Sequence, residues 1–289
     1  FLKLYLFNLM KYLIYKGTGG LVHMLNGLQN AIELAKKENR ILIIDTMNTG
    51  AFKQYFNDYF HIYDDDLNYI CNYDEIDANI KKELYFENLH IDDIQYRGTR
   101  LIEGKYYLEN SDIYIQETKG MKNKILRVYA GYCPDFIKNL KINQSVIEFI
   151  YEKCHPVLDS YDKYISVHFR NSDMKNNIQD FIQKIKKTSQ KNNIKNIFIA
   201  TDDSHAFHTF QSSLKNLHFF KLFDVPDCNG KNIHYHHIDK KEIVQTSLID
   251  LYMIGKSTYF IPSKNSGFSK WIIYQKNNLK HNIFDEDFN

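Results

Sequence analysis

The sequence predicts an α/β protein of two halves, each a parallel β-sheet flanked by helices, and three observations carry that prediction. Strand-length apolar runs alternate with amphipathic helical stretches through the C-terminal half, and a strand, glycine turn, helix, strand unit opens the chain. At 289 residues the chain also exceeds the roughly 100–200 residues of an ordinary single domain, so two domains sharing a cleft are expected.

Lys11 to Tyr15 predicts a short strand, and Gly17-Thr18-Gly19-Gly20 a turn after it. From Leu21 to Glu38, Leu21, Met24, Leu25, Leu28, Ile32 and Ala35 keep the three-and-four spacing of one helix face. Arg40 to Asp45 is an apolar run closed by a carboxylate, the form of a buried parallel strand, and it completes one βαβ unit. From Thr46 to about Ile150 the pattern weakens into aromatic and acidic stretches such as Asp64-Asp65-Asp66, with helical periodicity returning from Asp135 to Tyr151.

After Pro156 the alternation is regular. Strands are predicted at Tyr164 to Phe169, Asn196 to Ala200, Phe219 to Phe223 and Thr258 to Ile261. Helices are predicted at Asn177 to Lys191, Ser204 to Leu214, Lys240 to Gly255 and Ser266 to Gln275. A doubly wound sheet binds ligands beyond the carboxyl ends of its strands, which singles out the loops starting at His168, Thr201 and Pro262. The boundary between the halves is expected between Leu140 and Asp159, giving domains 1–150 and 151–270 and a C-terminal tail 271–289.

Composition removes several function classes. Lys plus Arg number 37 against 35 Asp plus Glu, a net charge of +2, which lacks the basic face a nucleic-acid binder needs; any anion site is local. The four cysteines, Cys71, Cys133, Cys154 and Cys228, form no C-x-x-C pair and read as thiols in a reducing, cytoplasmic compartment. Lys3, Asn8 and Lys11 interrupt the apolar run from Phe1 to Tyr15, which falls short of the ~20 residues a bilayer span requires. Because the sequence opens on Phe, an upstream targeting segment stays open. His234, His236 and His237 sit in one short loop with no partner Cys or carboxylate motif, so zinc is not expected. The 22 Tyr and 20 Phe suit a sugar-stacking cleft in the N-terminal half as well as ordinary core. Gly17-Thr18-Gly19-Gly20 lacks G-x-G-x-x-G spacing, and Asp45 alone gives a dinucleotide site little support.

Three strand-to-helix loops carry the candidate chemistry. Ile165 to Asp173 ends a buried strand on alternating His168 and Arg170 beside a helix N-terminus; the guanidinium fork and helix N–H groups suit a diphosphate, while an Arg170–Asp173 ion pair would serve structure alone. In Thr201-Asp202-Asp203-Ser204 the acids suit ribose hydroxyls or a metal, and equally a helix cap. Ser263-Lys264-Asn265-Ser266-Gly267-Phe268-Ser269 reads as a second phosphate cradle or a plain cap. Asp250 lies in a helix among Leu248, Ile249, Leu251 and Ile254 and needs a partner, either structural or ligand.

The order of these motifs is similar to that of the fucosyltransferase superfamily that forms α1,2 and α1,6 linkages or modifies protein O-linked sites, including the bacterial nodulation enzyme. The matching features are His168-x-Arg170-x-x-Asp173 after a strand, Thr201-Asp202-Asp203 after the next, and Asp250 followed sixteen residues later by Ser266 in Ser-x-Phe-Ser. They span about Tyr164 to Trp271, and the opening βαβ unit also resembles that superfamily's. The resemblance implies a GT-B-like fold of two Rossmann-like domains facing a cleft and inverting, metal-independent transfer from GDP-fucose to a carbohydrate acceptor. Residue by residue, it implies Arg170 at the β-phosphate, His168 and Asp250 at the guanine, and Ser266 with Gly267, Phe268 and Ser269 at the diphosphate; Asp202 joins the donor site. The first domain would bind the acceptor, with Gly19, Gly20, His23 and Asp45 on its side, and the last helix would return to that domain.

The chain departs from the α1,6 pattern after Arg170: Asn171 stands for a second Arg, Met174 for a Lys, and Ile178 where some relatives carry an acidic base. Asp173, Asp180, Asp45 and His23 are the remaining candidates for taking the acceptor's proton. Another GDP-hexose donor, or nucleotide binding without catalysis, are the competing readings.

Overall fold

The computed structural model describes residues 11–17, 20–46, 52–71, 104–108, 111–117, 125–129, 137–172, 175–224, 239–278 and 282–284. The chain divides into two compact units, Phe1–Asn143 and Gln144–Asn289.

In the first unit, β1 (Tyr12–Lys16), α1 (Leu21–Lys37) and β2 (Ile41–Asp45) make the anticipated βαβ unit, with Tyr12 opposite Ile41 and Lys16 opposite Asp45 in parallel register. The remaining strands are β3 (Phe60–Ile62), β4 (Tyr69–Ile70), β5 (Gly104–Leu108), β6 (Ser111–Glu117), β7 (Ile125–Tyr129) and β8 (Leu140–Ile142). The sheet order is β4-β2-β1-β7-β6-β5. Strands β4, β2, β1 and β7 run parallel, whereas β7, β6 and β5 pair antiparallel. The first sheet is therefore mixed where the sequence predicts a parallel one. Only two residues separate β5 from β6, and a connection that short closes a hairpin but cannot cross over to a parallel neighbour.

The aromatic stretch after Thr46 is core. Phe52, Phe56 and Phe60 are buried, and Phe52 meets Tyr59 edge to face at 5.5 Å. The helix predicted over Asp135 to Tyr151 is instead β8 followed by α2 (Gln144–Leu158). Ile137 and Leu140 imitate a helical three-residue step, but Leu140 and Ile142 alternate into the antiparallel pair with β3. Pro156, which has no N–H to bond the carbonyl four residues back, falls in the last turn of α2, and the helix ends two residues later.

In the second unit, α2 packs on α5 (Lys240–Lys256), so the division precedes α2 rather than cutting it at residue 150. The other elements are β9 (Ile165–Phe169), α3 (Ile178–Asn192), β10 (Asn196–Thr201), α4 (Ser204–Ser213), β11 (His218–Phe220), β12 (Tyr259–Ile261) and α6 (Gly267–Asn277). All four strands are parallel, in the order β11-β10-β9-β12. The chain steps outward from β9 through β10 to β11, then returns to the other side of β9. This reversal makes the gap between β9 and β12 the topological switch point, where open α/β sheets hold ligands.

Strand periodicity sorts the side chains of β9. Ile165, Val167 and Phe169 join Ile197, Ile199, Phe181, Ile185 and Phe210 in one apolar cluster under α3 and α4. Ser166 and His168 take the opposite face, toward Ser257 and Ser269. The described tail residues, 282–284, contact this unit: Ile283 N–H donates to Gln275 Oε1 at 2.9 Å, and Phe284 lies 5.2 Å from the Tyr252 ring. Helix α6 runs unbroken across the break expected at residue 271. Among the described residues no helix is long and apolar enough to cross a membrane.

Gly17, at the end of β1, is buried against α1. A Cβ there would stand 2.3 Å from Cγ of Met24, which is itself buried. Gly17→Ala is expected to cost about 1–3 kcal/mol through this overlap. Equilibrium urea unfolding checks it; an unchanged midpoint would mean that Met24 repacks freely.

Candidate functional site

The tip of β9 is built by satisfying backbone groups that the sheet leaves unpaired. Ser263, after β12, is buried; its hydroxyl donates to the His168 carbonyl at 2.7 Å and accepts the Arg170 N–H at 2.9 Å. The Ser263 N–H in turn donates to Ser269 Oγ at 3.1 Å, and Ser269 Oγ lies 2.7 Å from Nδ1 of His168. Ser266 caps α6 by accepting the Ser269 N–H at 3.4 Å, the capping role foreseen as its alternative. Asn265 holds φ at 71°, the left-handed conformation Asn tolerates better than most residues, and so turns the chain into that cap. Phe268 lays its ring 5.1 Å from the imidazole, while Gly267 is exposed.

These contacts define the state of His168. Burial first, and the Arg170 guanidinium second, push its imidazole down to about 3. The ring is therefore neutral at physiological pH. Ser269 Oγ accepts the Ser263 N–H and faces Nδ1 of the neutral ring, which carries a single N–H.

A second loop braces Arg170 from the β10 side. Asp202 accepts the backbone N–H groups of Asn171 and Ser172 at 2.6 and 3.2 Å and the Ser172 hydroxyl at 2.5 Å. Its other contact is a loose one of 3.9 Å to Nε of Arg170, so Asp202 takes the ion-pair position expected of Asp173, which lies outside the described residues. Asp203 caps α4 through His205 N–H and Ala206 N–H at 2.9 and 3.2 Å and also accepts Asn171 Nδ2 at 2.7 Å. Thr201 closes the turn by donating to the Phe169 carbonyl at 2.6 Å. Asn176 Nδ2 donates to the Arg170 carbonyl, so both faces of the Arg170 peptide are held.

Asp250 lies apart from this network. It is half-buried on α5, has no hydrogen-bond partner among the described residues, and its burial pushes it up to about 7. Its electrostatic neighbour is Cys154 of α2, whose thiol is pushed up to about 12 by burial and then by Asp250. In the first unit, Gly20 is the uncapped N-cap of α1, His23 is exposed in its first turn, and Asp45 is buried at the end of β2. Gly19 and the His234 to His237 loop lie outside the described residues. Among the described residues no three His, Cys, Asp or Glu side chains are grouped to hold a metal.

The structure thus joins His168, Arg170, Asp202, Ser266, Phe268 and Ser269 at one end of one sheet. Sequence reasoning quoted Ser263 and Thr201 without a role. A Ser or Thr directly beyond a strand, ahead of a separate N-cap residue, is the pattern that flags them.

Solved structures place this architecture among known proteins. NodZ α-1,6-fucosyltransferase soaked with GDP-fucose is similar over 91% of this chain and 91% of its own, with TM-score 0.52 and 16% identity. The fucosyltransferase NodZ from Bradyrhizobium reaches a TM-score of 0.54 at 16% identity, over 91% of this chain and 92% of its own. POFUT1 in complex with GDP reaches 0.55 at 12% identity, over 94% and 96%. The chain has the fold of these fucosyltransferases. No protein-family model and no curated protein sequence matches it, so the likeness resides in the fold.

The two perturbed groups pull stability in opposite directions with pH. His168 folds with its pKa below the ordinary 6.5, so its stabilisation is full above 6.5 and is lost as pH falls toward 3. Asp250 folds with its pKa above the ordinary 3.8, so its contribution is full below 3.8 and is lost as pH rises through about 7. Asp250→Asn is expected to raise the melting temperature at about pH 8, where the carboxylate is charged and half-buried, with the gain vanishing near pH 4. Melting curves across that range check it; equal gains at both ends would assign the effect to packing.

Proposed function

We propose that this chain is a glycosyltransferase that moves fucose from GDP-fucose to a hydroxyl of a carbohydrate acceptor, inverting the anomeric centre and using no metal. The observation that carries the reading is the joining of the β9 and β12 loops at the switch point: a guanidinium, a neutral imidazole donor and the N-terminus of α6 occupy one strand end. These are the groups a sugar diphosphate calls for, since a helix N-terminus and an arginine fork both favour phosphate oxygens.

In the reaction the acceptor oxygen forms the new bond to the anomeric carbon as the bond to the β-phosphate oxygen breaks. GDP leaves with the bonding pair, and the acceptor hydroxyl gives up its proton. Charge grows on the departing diphosphate, and a positive group held there before the reaction lowers the barrier without reorganising. Arg170 supplies that charge, in the place a divalent cation fills in metal-dependent transferases. Gly267 and Phe268 would present backbone N–H groups to the same phosphates, while the N–H groups of Ser266 and Ser269 are taken by the Ser263 carbonyl and Ser266 Oγ and hold that turn in place. His168 offers Nε2–H to an acceptor atom of the guanine, and Asp250, once ionised, offers two oxygens to guanine N–H donors. The fold shared with NodZ soaked with GDP-fucose and with POFUT1 bound to GDP supports this ligand class. The acceptor is assigned to the first unit.

Isothermal titration of GDP, GDP-fucose, GDP-mannose and UDP into the wild type and Arg170→Ala, without added metal, tests the reading. The GDP ligands are expected to bind the wild type and to weaken at least about tenfold in the variant, with no UDP binding. Transfer activity of Arg170→Ala is expected to fall on the order of 10²-fold, the scale of removing one preorganised donor. Absence of GDP binding overturns the proposal. Binding without turnover would point to a nucleotide-binding module, and turnover of GDP-mannose in place of GDP-fucose to another GDP-hexose transferase.

A further inference from the structure

We infer that Ser263 is a positioning residue, the strut through which the loop after β12 sets both Arg170 and His168. This rests on the role proposed for Arg170. The hydroxyl of Ser263 bonds on both sides of Phe169, accepting the Arg170 N–H at 2.9 Å and donating to the His168 carbonyl at 2.7 Å. Its backbone N–H donates to Ser269 Oγ, which lies 2.7 Å from Nδ1 of His168. One buried side chain therefore fixes where the guanidinium starts from, and its backbone holds the hydroxyl that faces the imidazole.

The geometry leaves Ser263 no other task. It does not cap α6, because Ser266 does, and it adds nothing to the apolar cluster on the far face of β9. Without it a part-buried N–H and a buried carbonyl lose their partners, and the peptide that orients Arg170 is free to rotate.

Two measurements test the strut. The first is a double-mutant cycle with Ser263→Ala and Arg170→Ala, read as GDP affinity by titration, with Ser263→Thr as the conservative rescue. Ser263→Ala is expected to weaken GDP by about tenfold in the wild-type background and by less than about twofold when Arg170 is already absent. Ser263→Thr is expected to recover to within about threefold of wild type, since it keeps the hydroxyl. Equal losses in both backgrounds, or no loss in a wild-type protein that binds GDP, would overturn the inference.

The second measurement needs no nucleotide: amide hydrogen exchange at Arg170 in the wild type and in Ser263→Thr, with the alanine variant added where it folds. A protected Arg170 N–H, kept by threonine and lost by at least about tenfold in alanine, is expected. An Arg170 amide that exchanges as fast as exposed loop amides in the wild type overturns the strut even if alanine does not fold. If GDP fails to bind while the amide is protected, the donor-site reading falls and the strut stands as a structural fact.

Discussion

Everything at the proposed donor site follows from one constraint: a parallel strand that ends in the middle of a sheet leaves backbone groups with no ladder partner, and here those groups are buried or part-buried. β9 is such a strand, flanked on both sides and buried along its whole length. Its last carbonyls and the first N–H groups after it are satisfied by side chains from two neighbouring loops. Thr201 serves Phe169, Ser263 serves His168 and Arg170, and Asp202 serves Asn171 and Ser172. Buried backbone groups left unmade cost about as much as the hydrogen bonds they forgo, so these short polar residues are a folding requirement first. The same requirement delivers a rigid strand tip, which is what a preorganised anion site needs.

This is why the second unit was legible in the sequence and much of the first was not. In the second unit, apolar runs and helix faces alternate with little interruption, and from β9 onward each strand and helix lies within a few residues of its predicted limits. The motifs at the strand ends could be read because Asp203, Asn177 and Ser266 are capping types placed directly before helical periodicity. In the first unit, apolar spacing misled. Ile137 and Leu140 stand three apart, a helical step, yet the partner strand β3 makes the segment from Leu140 to Ile142 a strand. Sheet pairing is a non-local property, and no window of sequence around residue 140 contains Phe60. The roles of Ser263 and Thr201 were hidden for the same reason, since their bonds reach across more than thirty and more than ninety residues of chain.

On the proposed reading, the charges divide between those committed to structure and those left for a ligand. Asp202 and Asp203 accept from backbone and side-chain donors, so their lone pairs hold the loop and the N-terminus of α4. Asp250 is the opposite case: a half-buried carboxyl pushed up to about 7, with no hydrogen bond among the described residues to stabilise its ionised form. Such a group is a cost to the folded protein at neutral pH, and the cost is recovered when a ligand brings N–H donors. His168 completes the contrast, because burial and Arg170 keep it neutral and therefore a donor at one nitrogen only. On the proposed reading, His168 offers a donor and Asp250 an acceptor, the complement of a purine that presents both kinds of edge atom.

The commitment of these acids also bears on how the acceptor's proton leaves. A carboxylate acting as base must surrender lone pairs, and for Asp202 or Asp203 that would release the loop carrying Arg170. Ile178, at the position where the resemblance places an acid in some relatives, packs beside Phe181 and Ile185 against the apolar cluster. A carboxyl there would be partly desolvated with no cation supplied by that cluster. Asp180, one turn into α3, is exposed. On the proposed reading, then, the described part of the second unit invests in the leaving group rather than in the nucleophile. That division suits the chemistry: the acceptor hydroxyl becomes strongly acidic only as its bond to the anomeric carbon forms, by which time the diphosphate already carries most of the charge. A guanidinium fixed at the strand tip acts where the charge develops first.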